Sequence, residues 1–107
     1  MPANNNNTDI INGRHVSGTS FQISVWQKIA EIPSGQTVTY SEIAELIGKP
    51  KSFRAVANAC GKNPFPIVIP CHRVVRSDGG LGGYSGKGGT ATKFALLESE
   101  KLLRKAK

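Results

Sequence analysis

Residues 41–62 read SEIAELIGKPKSFRAVANACGK. Ser41 is placed to cap a helix whose inner face is Ile43, Ala44, Leu46 and Ile47. Gly48 and then Pro50 end it in the usual order. A second helix opens near Ser52, with Phe53, Val56, Ala57 and Cys60 as its apolar stripe. Arg54, Ala55, Asn58, Ala59 and Lys62 fall on its other face, and Gly61 closes it. Two short helices joined by a tight turn containing Gly form the helix-turn-helix pattern, whose second helix usually meets DNA. Small side chains on that face let the helix backbone approach a groove. The pattern alone is weak, because many helix pairs never touch DNA.

Upstream, Thr19 or Ser20 caps an earlier helix in which Phe21, Val25, Ile29 and Ile32 recur at helical spacing, with Trp26 beside them. Pro33, Ser34 and Gly35 stop it. Residues 37–40, Thr-Val-Thr-Tyr, read as a short extended piece. Residues 1–18 are polar with an Asn run at 4–7, so a disordered tail is expected there, leaving 19–107 as the one domain.

Downstream, residues 63–66 form a loop, and Ile67, Val68 and Ile69 are a strand-like run cut by Pro70. Val74, Val75 and the stretch to Tyr84 flank Asp78–Gly79, a hairpin signal that would add a wing. A last helix is expected over 91–105, with Leu96, Leu97 and Leu103 on its buried side. Glu100 shares that side, where a carboxylate is costly unless it is paired. The fold class is therefore mainly α with a small β wing.

Composition narrows the function. The chain has 107 residues, 38% of them apolar and 20% charged, which fits one globular domain. No apolar run approaches a membrane span, and the N-terminus lacks the order of a signal peptide, so an intracellular protein with no membrane partner is expected. The net charge of +7 lies entirely beyond residue 53, where ten basic residues face three acidic ones. That asymmetry makes a polyanion, nucleic acid above all, the default partner. Two cysteines are too few for a secreted disulfide scaffold. Zinc is not expected, since Cys71 and His72 are adjacent and His15 lies in the polar stretch. Seven of the twelve glycines crowd into residues 79–89, but neither phosphate-binding glycine spacing is met.

The sharpest feature is residues 70–74, Pro-Cys-His-Arg-Val. A thiolate is a strong soft nucleophile, and an adjacent base activates it. Glu100 is a candidate to orient His72, as a third group orients the base of a triad.

These residues sit in a longer ordered set. It comprises Phe21–Gln22 with Val25–Trp26, residues 32–40, Arg54–Ala55–Val56, Asn63–Pro64, residues 69–75, residues 82–86, and Leu96–Leu97 with Glu100. The run from Thr19 to Glu100 closely resembles the C-terminal domain of the O6-alkylguanine-DNA alkyltransferases. The resemblance implies a winged helix-turn-helix that binds double-stranded DNA from the minor-groove side and rotates O6-alkylguanine into a pocket. By the same likeness Cys71 attacks the alkyl carbon, His72 takes the thiol proton through a water, Glu100 holds His72, and Asn63 braces the network. Arg54 fills the vacancy in the stack, Tyr40 crowds the neighbouring phosphate, and Ala55 and Asn58 line the groove. Pro66, Gly82, Ser85 and Gly86 shape the base pocket, and Tyr84 assists the leaving base. The implied protein is a monomer that needs no cofactor and reacts once.

Two departures stand out. Two-domain members carry an N-terminal domain where this chain has a short polar stretch, and Lys87 stands where many members have a second Gly. Short alkyltransferase-like relatives, which flag lesions for nucleotide excision repair, carry Trp or another residue where this chain has Cys71. They define the alternative reading, a binding protein without chemistry. A winged-helix regulator, the third reading, leaves Cys71, His72 and Glu100 unexplained.

Overall fold

The computed structural model describes residues 6–78, 80 and 89–105. Residues 6–18, expected as part of a disordered tail, instead build an antiparallel hairpin of β1 (Asn6–Ile11) and β2 (Arg14–Thr19). Its turn is Asn12–Gly13, with φ of +49° and +81°. Both residues tolerate the left-handed region that a two-residue hairpin turn demands. Ile11 and Val16 enter the core from the two strands, and burying each stabilises the fold by roughly 1.5–3 kcal/mol. The Asn12 side chain also donates to the Val68 carbonyl at 3.0 Å. The polar composition hid a hairpin with one apolar residue per strand turned inward.

Gly18 shows how closely this hairpin lies on the next helix. A Cβ there would sit 2.6 Å from Gln22 Oε1 and 3.0 Å from the Trp26 ring. Gln22 could swing away only by giving up its capping bond, and the indole is locked by packing. Gly18→Ala is therefore expected to cost about 1–3 kcal/mol, the usual penalty of overpacking, in a urea melt. A neutral result would mean that the hairpin does not stay docked.

Helix α1 (Ser20–Ala30) starts at a reciprocal cap: Thr19 Oγ1 accepts from the Gln22 N–H, and Gln22 Oε1 accepts from the Thr19 N–H. It buries Ile23, Val25, Trp26 and Ile29. The Trp26 indole donates to the Ala59 carbonyl at 2.9 Å, which ties α1 to the third helix. Strand β3 (Val38–Thr39) leads into α2 (Tyr40–Leu46), and the same type of cap recurs at Thr39 with Glu42, not at Ser41 as expected. Helix α3 (Phe53–Gly61) follows and buries Val56, Ala59 and Cys60. Leu46 and Phe53, expected inside, are exposed. Leu46 ends α2, and the bond from Trp26 turns Ala59 inward, so Phe53 rotates outward with Arg54, Ala55 and Asn58.

The expected strand at 67–69 is a turn. Ile67 has φ +78°, and the Ile69 N–H reaches back to the Phe65 carbonyl at 2.9 Å. After a 3₁₀ turn at Cys71–Arg73, β4 (Val74–Val75) pairs in parallel with β3. That pairing sets Val75 against Thr39, at the entry to α2. The Arg76 N–H closes a turn on the Gly80 carbonyl. The return arm of the expected wing lies outside the described residues. Helix α4 (Gly89–Lys105) begins two residues earlier than expected and packs on the 3₁₀ turn. Among the described residues no helix is long and apolar enough to cross a membrane.

Candidate functional site

The loop before the 3₁₀ turn is held from inside. Asn63 is buried, donates to the Ile69 carbonyl at 2.7 Å and accepts from the Phe65 N–H at 2.9 Å. One side chain thus closes residues 63–69 into a fixed bend, and the Cys71 N–H donates to the Ile69 carbonyl at 2.7 Å. Pro66 lies half-buried on this bend. The bend delivers Cys71, 2% exposed, into the interior with His72, 1% exposed, next to it.

Helix α4 supplies the third member. Glu100 Oε2 lies 2.8 Å from His72 Nε2, across 28 residues of sequence. The Glu100 side chain is 13% exposed, so its place on the apolar stripe is a paired one. Arg73 takes the same carboxylate, with Nε 3.0 Å from Oε1 and Nη2 2.7 Å from Oε2. Burial pushes the Glu100 carboxyl up, but the hydrogen bonds from Arg73 and His72 outweigh it and bring it down to about 2. A charged Glu100 can only accept, so Nε2 carries the hydrogen of the neutral imidazole. In that neutral form Nδ1 holds the lone pair; this atom is buried and makes no hydrogen bond to any described protein atom.

The depressed Glu100 carboxyl has a pH consequence. Its folded value lies below the ordinary 4.5, so the stability it contributes is present above that pH. It is lost as pH falls from about 4.5 toward 2. Acid unfolding curves of the parent and Glu100→Gln should therefore converge within that window. Parallel curves would mean that the carboxylate contributes nothing through its charge.

A second group of buried side chains is coupled in charge to the thiol. Lys93, on the same face of α4 seven residues before Glu100, is fully buried and donates to the Tyr40 hydroxyl at 3.3 Å. Desolvation lowers the Lys93 ammonium, raises the Tyr40 phenol to about 12 and raises the Cys60 thiol to about 12. Cys60 is thus an inert core thiol. Tyr40, which the resemblance implies crowds a phosphate, is buried, and with Ser41, Phe53, Arg76, Ser77 and Asp78 it lines a cavity of about 300 Å³.

Arg54 is exposed at the start of α3, with its guanidinium 5.9 Å from the Phe53 ring centroid. Ala55 and Asn58 are exposed on the same helix. Gly82, Tyr84, Ser85 and Gly86 lie outside the described residues. No group of three His, Cys, Asp or Glu able to hold a metal occurs among the described residues. Sequence reasoning missed Arg73 and Lys93. Lys93 was findable, since 93, 96, 97 and 100 share one helical stripe. Nothing in the sequence distinguished Arg73 from a surface cation.

A buried thiol, an imidazole and a carboxylate are carried beside a helix pair on which Arg54, Ala55 and Asn58 are exposed. The sequence profile of the family described as 6-O-methylguanine DNA methyltransferase, DNA binding domain, matches residues 20–102, and the chain belongs to that family. It is 53% identical to the methylated-DNA–protein-cysteine methyltransferase of Methanosarcina barkeri, over 81% of this chain and 54% of that protein. It superimposes on the Mycobacterium tuberculosis OGT of a complex with DNA with a TM-score of 0.76. Identity there is 50%, covering 79% of this chain and 51% of the other. The Schizosaccharomyces pombe Atl1, solved with damaged DNA containing O6-carboxymethylguanine, gives a TM-score of 0.64 at 34% identity. That match covers 75% of this chain and 74% of Atl1. The chain spans 23% of the Escherichia coli Ada protein, to which it is 53% identical over 79% of its own length, and about half the length of the methyltransferases of Methanosarcina barkeri and Bacillus subtilis.

Proposed function

We propose that this protein repairs DNA by moving the alkyl group of O6-alkylguanine onto its own Cys71. The observation that carries the reading is the Cys71–His72–Glu100 array, in which Glu100 fixes the hydrogen on His72 Nε2 and leaves Nδ1 as a buried base. The Cys71 thiol proton passes to Nδ1, through a water. The sulfur attacks the alkyl carbon, an S–C bond forms, and the C–O6 bond breaks. The electron pair leaves on guanine, which is then protonated with help from Tyr84. The product thioether has no route back to the thiol, so one protein molecule serves one lesion. No cofactor enters this sequence.

A thiol buried to 2% cannot reach an oxygen inside a stacked duplex, so the base must come to it. The exposed Arg54, Ala55 and Asn58 of α3 face the groove, and Arg54 takes the place of the extruded base. Tyr40 stands beside the phosphate of the flipped nucleotide. Pro66, Gly82, Ser85 and Gly86 shape the pocket. The protein acts as a monomer inside the cell.

The test is intact mass after incubation with a duplex containing O6-methylguanine, followed by peptide mapping. One methyl per chain, on Cys71, is expected. Tight binding to that duplex without mass gain would move the assignment to lesion marking, with nucleotide excision repair proteins as partners. The likeness to Atl1 makes that the second reading.

A further inference from the structure

Arg73 has no part in the transfer as proposed above, yet its whole guanidinium is engaged. Nε and Nη2 grip Glu100, and Nη1 donates to the Ile32 carbonyl at 2.8 Å. The last bond anchors the fork to the segment after α1, so it does not simply follow α4. Glu100 Oε2 therefore accepts from two side chains at once, His72 through Nε2 at 2.8 Å and Arg73 through Nη2 at 2.7 Å and Nε at 3.2 Å.

The charge count matters more than the bond count. Arg73 stays protonated at any pH a protein survives. With it in place the carboxylate is neutralised, and the imidazole faces an acceptor whose charge is already balanced. Without it, Glu100 would be a lone anion in hydrogen-bond contact with a buried imidazole. That contact favours the imidazolium, since an opposite charge at this range stabilises the charged form. An imidazolium carries hydrogen on both nitrogens, and Nδ1 could no longer accept.

We propose that Arg73 is a positioning residue that keeps His72 neutral, with its hydrogen on Nε2 and a lone pair on the buried Nδ1. Its catalytic consequence rests on the alkyl-transfer reading; the protonation effect itself does not. The other described groups act elsewhere. Tyr40 of α2, Cys60 of α3 and Lys93 of α4 are buried groups coupled in charge to the Cys71 thiol, and the Lys28–Glu31 and Lys101–Glu98 pairs are exposed. Asp78 is paired with Arg76 on the surface. Among the described residues, Glu100, held by Arg73, is the charged side chain in hydrogen-bond contact with the imidazole.

The experiment is a histidine NMR titration of the full chain, which has two histidines, His15 and His72. Arg73→Gln should raise the His72 midpoint by about one pH unit, a tenfold gain in proton occupancy, at the low end of what a charge at this range does. Arg73→Lys, which keeps the charge and loses the fork, should move it by less than half as much. A folded Arg73→Gln protein with an unmoved or lowered midpoint overturns the proposal. If that variant does not fold, Glu100→Gln decides: the uncompensated guanidinium should lower the midpoint by about a unit or more, and no fall overturns the proposal. The acid limb of the Arg73→Gln methyl-transfer rate should move to correspondingly higher pH, whereas a merely structural loss would lower the rate equally at every pH. Absence of methyl gain in the parent protein would remove the alkyl-transfer reading and leave the titration result standing.

Discussion

Cys71→Ala is expected to gain no mass from a duplex containing O6-methylguanine, while its affinity for that duplex stays within about threefold of the parent, under 1 kcal/mol. The two halves of this expectation have separate physical causes. Transfer ends because the acceptor atom is gone and no other thiol can replace it. Cys60 is buried on α3, and burial pushes its thiol up to about 12, so it offers almost no thiolate near neutrality. Binding persists because the surface proposed to meet DNA is the exposed face of α3, whereas Cys71 hangs inside on the 3₁₀ turn. Intact mass and fluorescence anisotropy on the same duplex separate the two. Methyl gain in this variant, on Cys60 or anywhere else, would refute the assignment of the nucleophile.

The legible and illegible parts of this chain divide by range. Helices α1, α2 and α3 were readable because their signals are local: Thr19 with Gln22, the apolar spacing of Val25 and Ile29, and the stop at Gly48. The cap of α2 was misplaced by two residues because Thr39 and Ser41 both carry a hydroxyl. Only Thr39 has Glu42 three positions on, which completes the reciprocal cap. The hairpin at 6–19 was legible in Asn12–Gly13, the strongest short hairpin signal, but the polar composition around it outweighed the turn. The site is another matter. Cys71 and His72 stood out as a pair, yet the contact with Glu100 spans 28 residues and depends on how α4 lies across the 3₁₀ turn. Periodicity placed Glu100 on a buried face; only the fold says what it meets. Arg73 was invisible for the same reason, since both of its partners, Ile32 and Glu100, are remote in sequence.

Arg54→Ala should slow methyl transfer from duplex DNA by about 30–100-fold, yet leave the reaction with free O6-methylguanine base within about twofold. The argument starts from the cost of extrusion. Unpairing and unstacking a guanine costs a few kcal/mol, and the extruded state must be held long enough for a thiol to react. Arg54 is suited to this task. It stands exposed at the first turn of α3, its planar guanidinium matches the face of a base, and the Phe53 ring behind it limits its freedom before binding. Removing a contact made only in the extruded state should cost about 2–3 kcal/mol, which sets the size of the effect. The free base needs no extrusion and meets the same thiol, imidazole and carboxylate, so its rate isolates the chemistry. Single-turnover rates on the two substrates give the ratio directly. Equal slowing on both would place Arg54 in the support of the site and end its assignment to the stack, and an unchanged duplex rate would do the same. A Lys at this position tests the shape argument separately: it keeps the charge that attracts the phosphate backbone but lacks the flat surface. Arg54→Lys is therefore expected to recover affinity for undamaged DNA more fully than it recovers the rate of repair.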